Sequence, residues 1–343
     1  MRDVLVEAST ARSAGAPVSE PGVAMSPRLG LDLGGTSIKW VLLGAGDVIL
    51  DQGSVPTPNT GVEATLTVIA DLAAKHAEPA IGGAGVGLAV PGSVDHATSR
   101  VLELPNIAGD WNGLLVGDHL SAKTGLAWRV VNDARAFAMG ELATGVAKGT
   151  SDALFVTLGT GVGGALAVHG VIEMGAAGLI GEIGHVSIET GGRPCGCGHL
   201  GCLETYAGAA GMLTEAARRG FQAPGSETDG DPVNPLAALF SAAHDGDPIA
   251  LAVVSEAGAA LGTALGQLST FLAPTLVVIG GGVSRGFARM EPSFRVALAD
   301  HTRVVPGPEV RLTERPDFAG AIGAALWATE VTASRARHSW EKS

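Results

Sequence analysis

One repeated unit narrows the possible folds more than any other feature: a buried apolar strand, a Gly/Thr-rich turn, and a second apolar strand. It appears as LGLDLGG followed by TSIKWVLL, up to Leu43, and again as ALFVTL (Ala153 to Leu158), GTGVGG and a return strand over Ala165 to Val168. A glycine turn at the exit of a buried strand lets backbone N–H groups approach an anion closely, because no Cβ intervenes. A single Gly-Gly turn of this kind reads as an ordinary β-turn. Two in corresponding places point to two related α/β halves, each with a phosphate-sized cradle. Leu276 to Ile279 is a third apolar strand, and it runs into Gly280-Gly281-Gly282, flat backbone suited to a ribose or nucleobase. Neither the GxxxxGK[ST] spacing nor a GxGxxG opening a helix is present.

The 343 residues exceed what one core usually serves, so two domains are expected. Helical spacing runs from Val62 to Ala77, from about Leu114 to Thr124, from Ala207 to Arg219, from Pro248 to Leu272 and from Ala319 to Glu330. Gly85 to Val90 and Trp128 to Val131 read as short buried strands, and RVLELPNIAGDWNG from Arg100 as irregular. The 51 glycines are about twice the usual share and suggest tight turns and close approaches to a ligand. A net charge of −12 argues against general nucleic-acid binding, which needs Lys and Arg to neutralise phosphates. No apolar run reaches the ~18 residues of a transmembrane helix, so no membrane is expected. The first 27 residues lack the apolar region of a secretory signal and read as a disordered leader.

All three cysteines (Cys195, Cys197, Cys202) fall within eight residues, interleaved with glycines. An odd count cannot form a closed disulfide framework, whereas clustered thiolates suit a tetrahedral metal, zinc by default. A fourth ligand is required, and His185 and His199 are both near. Unpaired cysteines of this kind fit a reducing compartment, so a cytoplasmic location is expected. Among the acidic groups, Asp32 can hold Mg²⁺ beside phosphates, Thr36 can donate to a phosphate oxygen, and Lys39 adds positive charge. Asn132-Asp133 ends a strand at the start of a helix. It can be a plain N-cap or place a general base.

These segments together resemble the ROK family of sugar kinases and repressors, within the actin/hexokinase/Hsp70 superfamily. Asp32-Leu-Gly34-Gly35-Thr36 resembles its first phosphate motif, GTGVGG with Thr160, Gly161 and Gly163 its second, and IGGGVS with Gly281 and Gly282 its adenosine motif. Asn132-Asp133-Ala134 resembles the segment of the catalytic aspartate. Glu182-Ile-Gly-His185 and Cys195-Gly-Cys197-Gly-His-Leu-Gly-Cys202-Leu-Glu204 resemble two further signatures. The resemblance implies a two-domain actin-like ATPase (ribonuclease H-like) α/β fold with an interdomain cleft. Its smaller N-terminal domain would span 28–134, joined by a C-terminal helix over 319–331. A larger domain with the zinc loop would span 135–318, and 332–343 would be a flexible tail.

The resemblance also implies the chemistry, which is ATP-dependent phosphorylation of a hexose 6-hydroxyl, glucose first, with Asp133 as base. Asn106, Asn132, Glu182, His185 and Glu204 would bind the other hydroxyls. His185, Cys195, Cys197 and Cys202 would hold a structural Zn²⁺, with ATP and Mg²⁺ as the other cofactors and a homodimer or homotetramer as the assembly. His199 falls on a variable position and reads as an ordinary loop histidine. Arg135 replaces an asparagine common in family kinases, and the loop Pro105–Trp111 is one residue longer than usual. Both departures touch the sugar side. An amino hexose (N-acetylmannosamine, N-acetylglucosamine or a 3-amino-glucose) is therefore the alternative acceptor, with Asp110 as a candidate partner for an ammonium group. A sugar-sensing ROK repressor would carry an N-terminal DNA-binding domain of roughly 60–80 residues, so this second alternative is not expected.

Overall fold

A computed structural model describes residues 26–77, 85–175, 178–222 and 234–329. The expected leader (except residues 26 and 27), the flexible tail and much of the polar loop before Asn234 lie outside these residues. Alternation of apolar residues and glycine turns builds a first sheet from β1 (Arg28–Leu33), β2 (Ser37–Leu43), β3 (Ile49–Pro56), β4 (Val86–Val90) and β7 (Trp128–Asn132), in the order β3-β2-β1-β4-β7. A small hairpin, β5 (Ser93–Asp95) with β6 (Arg100–Glu103), follows β4. The segment expected to be irregular from Arg100 therefore begins as a strand. The second sheet joins β8 (Ala153–Leu158), β9 (Val162–Val168), β10 (Val171–Ile172), β11 (Leu276–Gly280) and β12 (Glu309–Leu312), in the order β10-β9-β8-β11-β12. In each sheet the central strand pairs antiparallel with the strand after its glycine turn and parallel with a later one. The repeat legible in the sequence is thus a repeat of topology. β9 starts at Val162, three residues before the expected return strand, because Gly163 and Gly164 pair with Thr157 and Val156.

Helices cover the sheets: α1 (Val62–Ala77), α2 (Val116–Thr124), α3 (Asp133–Thr144), α4 (Glu204–Ala207), α5 (Ala209–Arg218), α6 (Pro235–His244), α7 (Pro248–Leu272), α8 (Phe287–His301) and α9 (Ala319–Trp327). The helix expected from Ala207 to Arg219 is two helices, because Gly208 is extended (φ −79°, ψ 151°). By length and composition α7 does reach a membrane-spanning size, with 25 residues and mean hydropathy 1.6, correcting the reading that no segment does. It packs as a core helix. Val253, Val254, Leu261 and Leu265 are buried with Phe287, Met290 and Phe294 of α8.

α9 returns from the far end of the chain to the first sheet and to α3. Glycine makes this possible by backbone contact: a Cβ on Gly87 of β4 would lie 1.7 Å from the Ala324 carbonyl, and one on Gly323 of α9 would lie 1.7 Å from that of Ala136. Part of the glycine excess therefore serves helix-on-sheet packing and not a ligand. Trp327 Nε1 closes the contact by donating to the Val130 carbonyl at 3.2 Å.

Candidate active site

The carboxyl ends of β1, β7, β8 and β11 carry the candidate residues. After β1, the Gly34 N–H donates to the Ser37 carbonyl (3.0 Å), and Thr57 Oγ1 donates to the Gly34 carbonyl (2.6 Å), so the first turn is held from within. A Cβ on Gly35 would meet the Asn106 carbonyl at 3.3 Å, which brings the long Pro105–Trp111 loop against this turn. Asn106 itself has φ +65°, a left-handed conformation that asparagine tolerates better than most residues. Buried Trp111 anchors the loop, its Nε1 donating to the Ala108 carbonyl at 3.1 Å.

The second turn is tied to the start of α5, where the Ala209 and Ala210 N–H groups donate to the Gly159 and Thr160 carbonyls (2.9 and 3.0 Å). Gly161 faces Glu204, and an added Cβ would lie 2.6 Å from Glu204 Oε2. Gly163 packs beneath, against Thr157 and Ala134, and so joins this turn to α3. Beyond β11, Gly281 takes φ +84° with its Cα face against the Leu158 backbone, while Gly282 has open space. Asn106, Thr160, Gly161 and Glu204 line one cavity of about 770 Å³ that continues to Arg193 and Arg218.

Asn132 ends β7 as the N-cap of α3. Its Oδ1 accepts from the Ala134 and Arg135 N–H groups (3.0 and 3.2 Å), and its Nδ2 donates to the Gly92 carbonyl (2.8 Å) and to Asp133 Oδ1 (3.0 Å). That uses all four bonds an asparagine side chain can make. One of these bonds, from Nδ2, holds Asp133. Asp133 Oδ1 also accepts the Ala134 N–H at 2.8 Å, and Oδ2 has no donor among the described residues. Burial, then repulsion from Asp32, raises the Asp133 carboxyl to about 7, against lowering by the Ala134 N–H and Arg135. Burial raises Asp32 to about 6, with Lys39 opposing.

Lys39 reaches across to Asp317 (3.4 Å), which also takes Arg285 through both oxygens (2.7 and 2.6 Å). Sequence reasoning did not single out Asp317 or Arg285. Asp317 lies 278 positions from Lys39, and no local pattern links them.

His185, in the short turn Ile183–His185, meets the cysteine loop: His185, Cys195, Cys197 and Cys202 place one ligand atom each within 4.8 Å of one another. His185 Nδ1 is 3.7 Å from Cys195 Sγ, and Cys197 Sγ is 3.7 Å from Cys202 Sγ. Ligands ~2.0–2.3 Å from a tetrahedral metal would be separated by about 3.5–3.8 Å, so the donor set fits zinc in both type and spacing. Burial, then a bond to Glu204 at 2.9 Å, pushes the Cys195 thiol up. Glu204 Oε1 is also 3.5 Å from His185 Nδ1, so this carboxylate bridges the metal-suited cluster and the second glycine turn. His199 is exposed and outside the cluster. Asp110 is exposed, accepts the Asn112 N–H (3.1 Å) and does not line the cavity.

Comparison with known proteins accords with this geometry. Residues 28–331 match the ROK family. A glucokinase of Halalkalibacterium halodurans is 36% identical over 307 residues, covering 86% of this chain and 92% of the relative. The crystal structure of a ROK hexokinase from Thermus thermophilus superposes with a TM-score of 0.74 at 32% identity, over 88% of this chain and 97% of that one. A ROK family glucokinase from Streptomyces griseus, in complex with glucose and AMPPNP, gives a TM-score of 0.73 at 30% identity, over 88% and 98%. Duplicated sheets, two glycine turns, a strand-end aspartate and a Cys/His loop are thus the frame of a sugar kinase with the actin-like ATPase fold, and the chain belongs to the ROK family.

Proposed function

We propose that this protein transfers the γ-phosphoryl group of ATP to the 6-hydroxyl of a hexose, glucose first, with Asp133 as the general base. The observation that carries the reading is the state of Asp133. One oxygen is fixed by Asn132 and the Ala134 N–H, the other has no donor among the described residues, and the carboxyl is raised to about 7. A base works best with a pKa near the operating pH, and this placement supplies both orientation and affinity for the proton. In phosphoryl transfer most of the catalysis is positioning and charge stabilisation. The turns at Gly34–Thr36 and Thr160–Gly161 would hold the phosphates, Gly281-Gly282 the nucleoside, and Asn106, Glu182, His185 and Glu204 the sugar hydroxyls. Asn132 acts through Asp133 as its positioning residue.

Mg²⁺ arriving with ATP would be held by Asp32 and would neutralise phosphate charge. Zn²⁺ would be held by His185 Nδ1, Cys195, Cys197 and Cys202, and with four protein ligands it would serve as scaffold. The chain's own part is to keep the His185 ring and Glu204 at the sugar wall. We read the unit of residues 28–134 with α9 and that of 135–318 as two domains whose closure excludes water from the transfer. ATP as donor and thiols suited to a metal support a cytoplasmic location. Exposed Phe271, Val296 and Val304 support self-association into a dimer or tetramer.

An ATP-coupled assay over glucose, N-acetylglucosamine, N-acetylmannosamine and 3-amino-glucose, with polyphosphate as an alternative donor, tests the reading. Glucose with ATP is expected to give the highest kcat/KM. Asp133→Asn is expected to fold and to lose about 10²–10⁴ in kcat. Near-wild-type turnover of that variant would remove the base from the proposal.

A further inference from the structure

Arg135 stands where a cation is least welcome. It lies in the first turn of α3, at the positive end of the helix dipole, and its side chain is only 2% exposed. A buried charge needs partners, and those of Arg135 are specific. Nη2 donates to the Ile180 carbonyl at 2.6 Å and lies 3.5 Å from Glu182 Oε1. Nε is buried with no partner among the described residues, so the guanidinium is not held for its own satisfaction. Asp133, two positions before it, interacts with it electrostatically. Glu182 remains 43% exposed.

The remaining charges around the pair are accounted for. Asp32 and Glu182 disfavour the Asp133 carboxylate, Lys39 favours that of Asp32, and Arg135 disfavours a proton on His96. Arg135 acts electrostatically on both Asp133 and Glu182.

We propose that Arg135 is a positioning residue for phosphoryl transfer: it pins Glu182 through Oε1, leaving Oε2 for a sugar hydroxyl. This inference rests on Glu182 being a sugar ligand in the proposed reaction. One nitrogen, Nη2, serves the carbonyl and the carboxylate together. Lysine would keep the charge but lose the planar guanidinium that aims both N–H groups of Nη2.

The test uses the full chain, with glucose and ATP, and reads sugar KM and ATP KM. Circular dichroism and melting curves check folding. Arg135→Met is expected to raise sugar KM about tenfold and to leave ATP KM within about twofold. Arg135→Lys is expected to keep the raised sugar KM. A folded Met variant with wild-type sugar KM, or with sugar and ATP KM raised alike, overturns the proposal. If the Met variant fails to fold, the Lys variant decides: raised sugar KM supports the proposal and wild-type KM overturns it. Asp133→Asn, run alongside, separates the failures. Activity there removes the base reading, whereas an inactive Asp133→Asn beside a wild-type-like Arg135→Met removes only the role of Arg135.

Discussion

In the first sheet, β1 gives way through Gly34-Gly35 to β2, and in the second, β8 gives way through Gly159–Gly161 to β9. Strand order, pairing and turn position match between the two. What is inserted does not. The first half carries the β5–β6 hairpin and the Asn106 loop between β4 and β7, while the second carries the cysteine loop and α4 to α7 between β10 and β11. The shared frame supplies two anion-sized backbone cradles, a task that glycine can perform twice with the same geometry. The insertions supply side chains (Asn106, Glu182, His185, Glu204) whose chemistry can differ from one sugar to the next. Frame and insertion therefore divide the proposed reaction between donor and acceptor.

Breaking the insertion is expected to give the largest selective effect. Cys202→Ser removes a proposed zinc ligand and the buried sulfur that lies 3.6 Å from the His185 carbonyl. Loss of bound zinc, measured by atomic absorption, should accompany a rise of about 10–100-fold in sugar KM, with ATP KM changed little. Equal rises in both constants would show that the loop supports the whole cleft and not the sugar wall alone.

The frame is probed by pH. With the Asp133 carboxyl raised to about 7, kcat/KM for the sugar should fall about tenfold per unit below that value. A flat profile from pH 5 to 8 would mean that no group of the frame titrates in the reaction.

The smallest effect concerns stability. A carboxyl whose folded pKa is about 7 against an ordinary 3.8 favours the folded state when protonated, and that contribution is lost as pH rises from about 4 to 7. Asp133→Asn should therefore melt a few degrees above wild type at pH 8, with the gap closing toward pH 4. A variant less stable than wild type at pH 8 would place the carboxylate's value in holding α3 and not in chemistry.

Much of this frame was legible in the sequence because it is local. Alternating apolar residues, glycine at strand exits, and Asn132 before a helical run each act through neighbours in the chain, and α1, α7 and β2 fall at the bounds the pattern predicts. The cysteine spacing likewise pointed to a metal. Spacing alone left the fourth position open between His185 and His199, the family resemblance named His185, and the fold places His185 beside Cys195. What escaped is long-range. Asp317 joining Lys39 to Arg285, and the backbone contact of α9 at Gly87, depend on segments more than 200 positions apart. Pro235–His244 and Phe287–His301, which bury their apolar faces in the core they share with α7, were missed as helices.

The most direct measurement follows the phosphoryl group itself. Wild-type protein incubated with ATP, Mg²⁺ and glucose should show, by ³¹P NMR, growth of a hexose 6-phosphate resonance matched mole for mole by ADP, with little inorganic phosphate. ADP and inorganic phosphate released at the same rate with and without sugar would contradict the account.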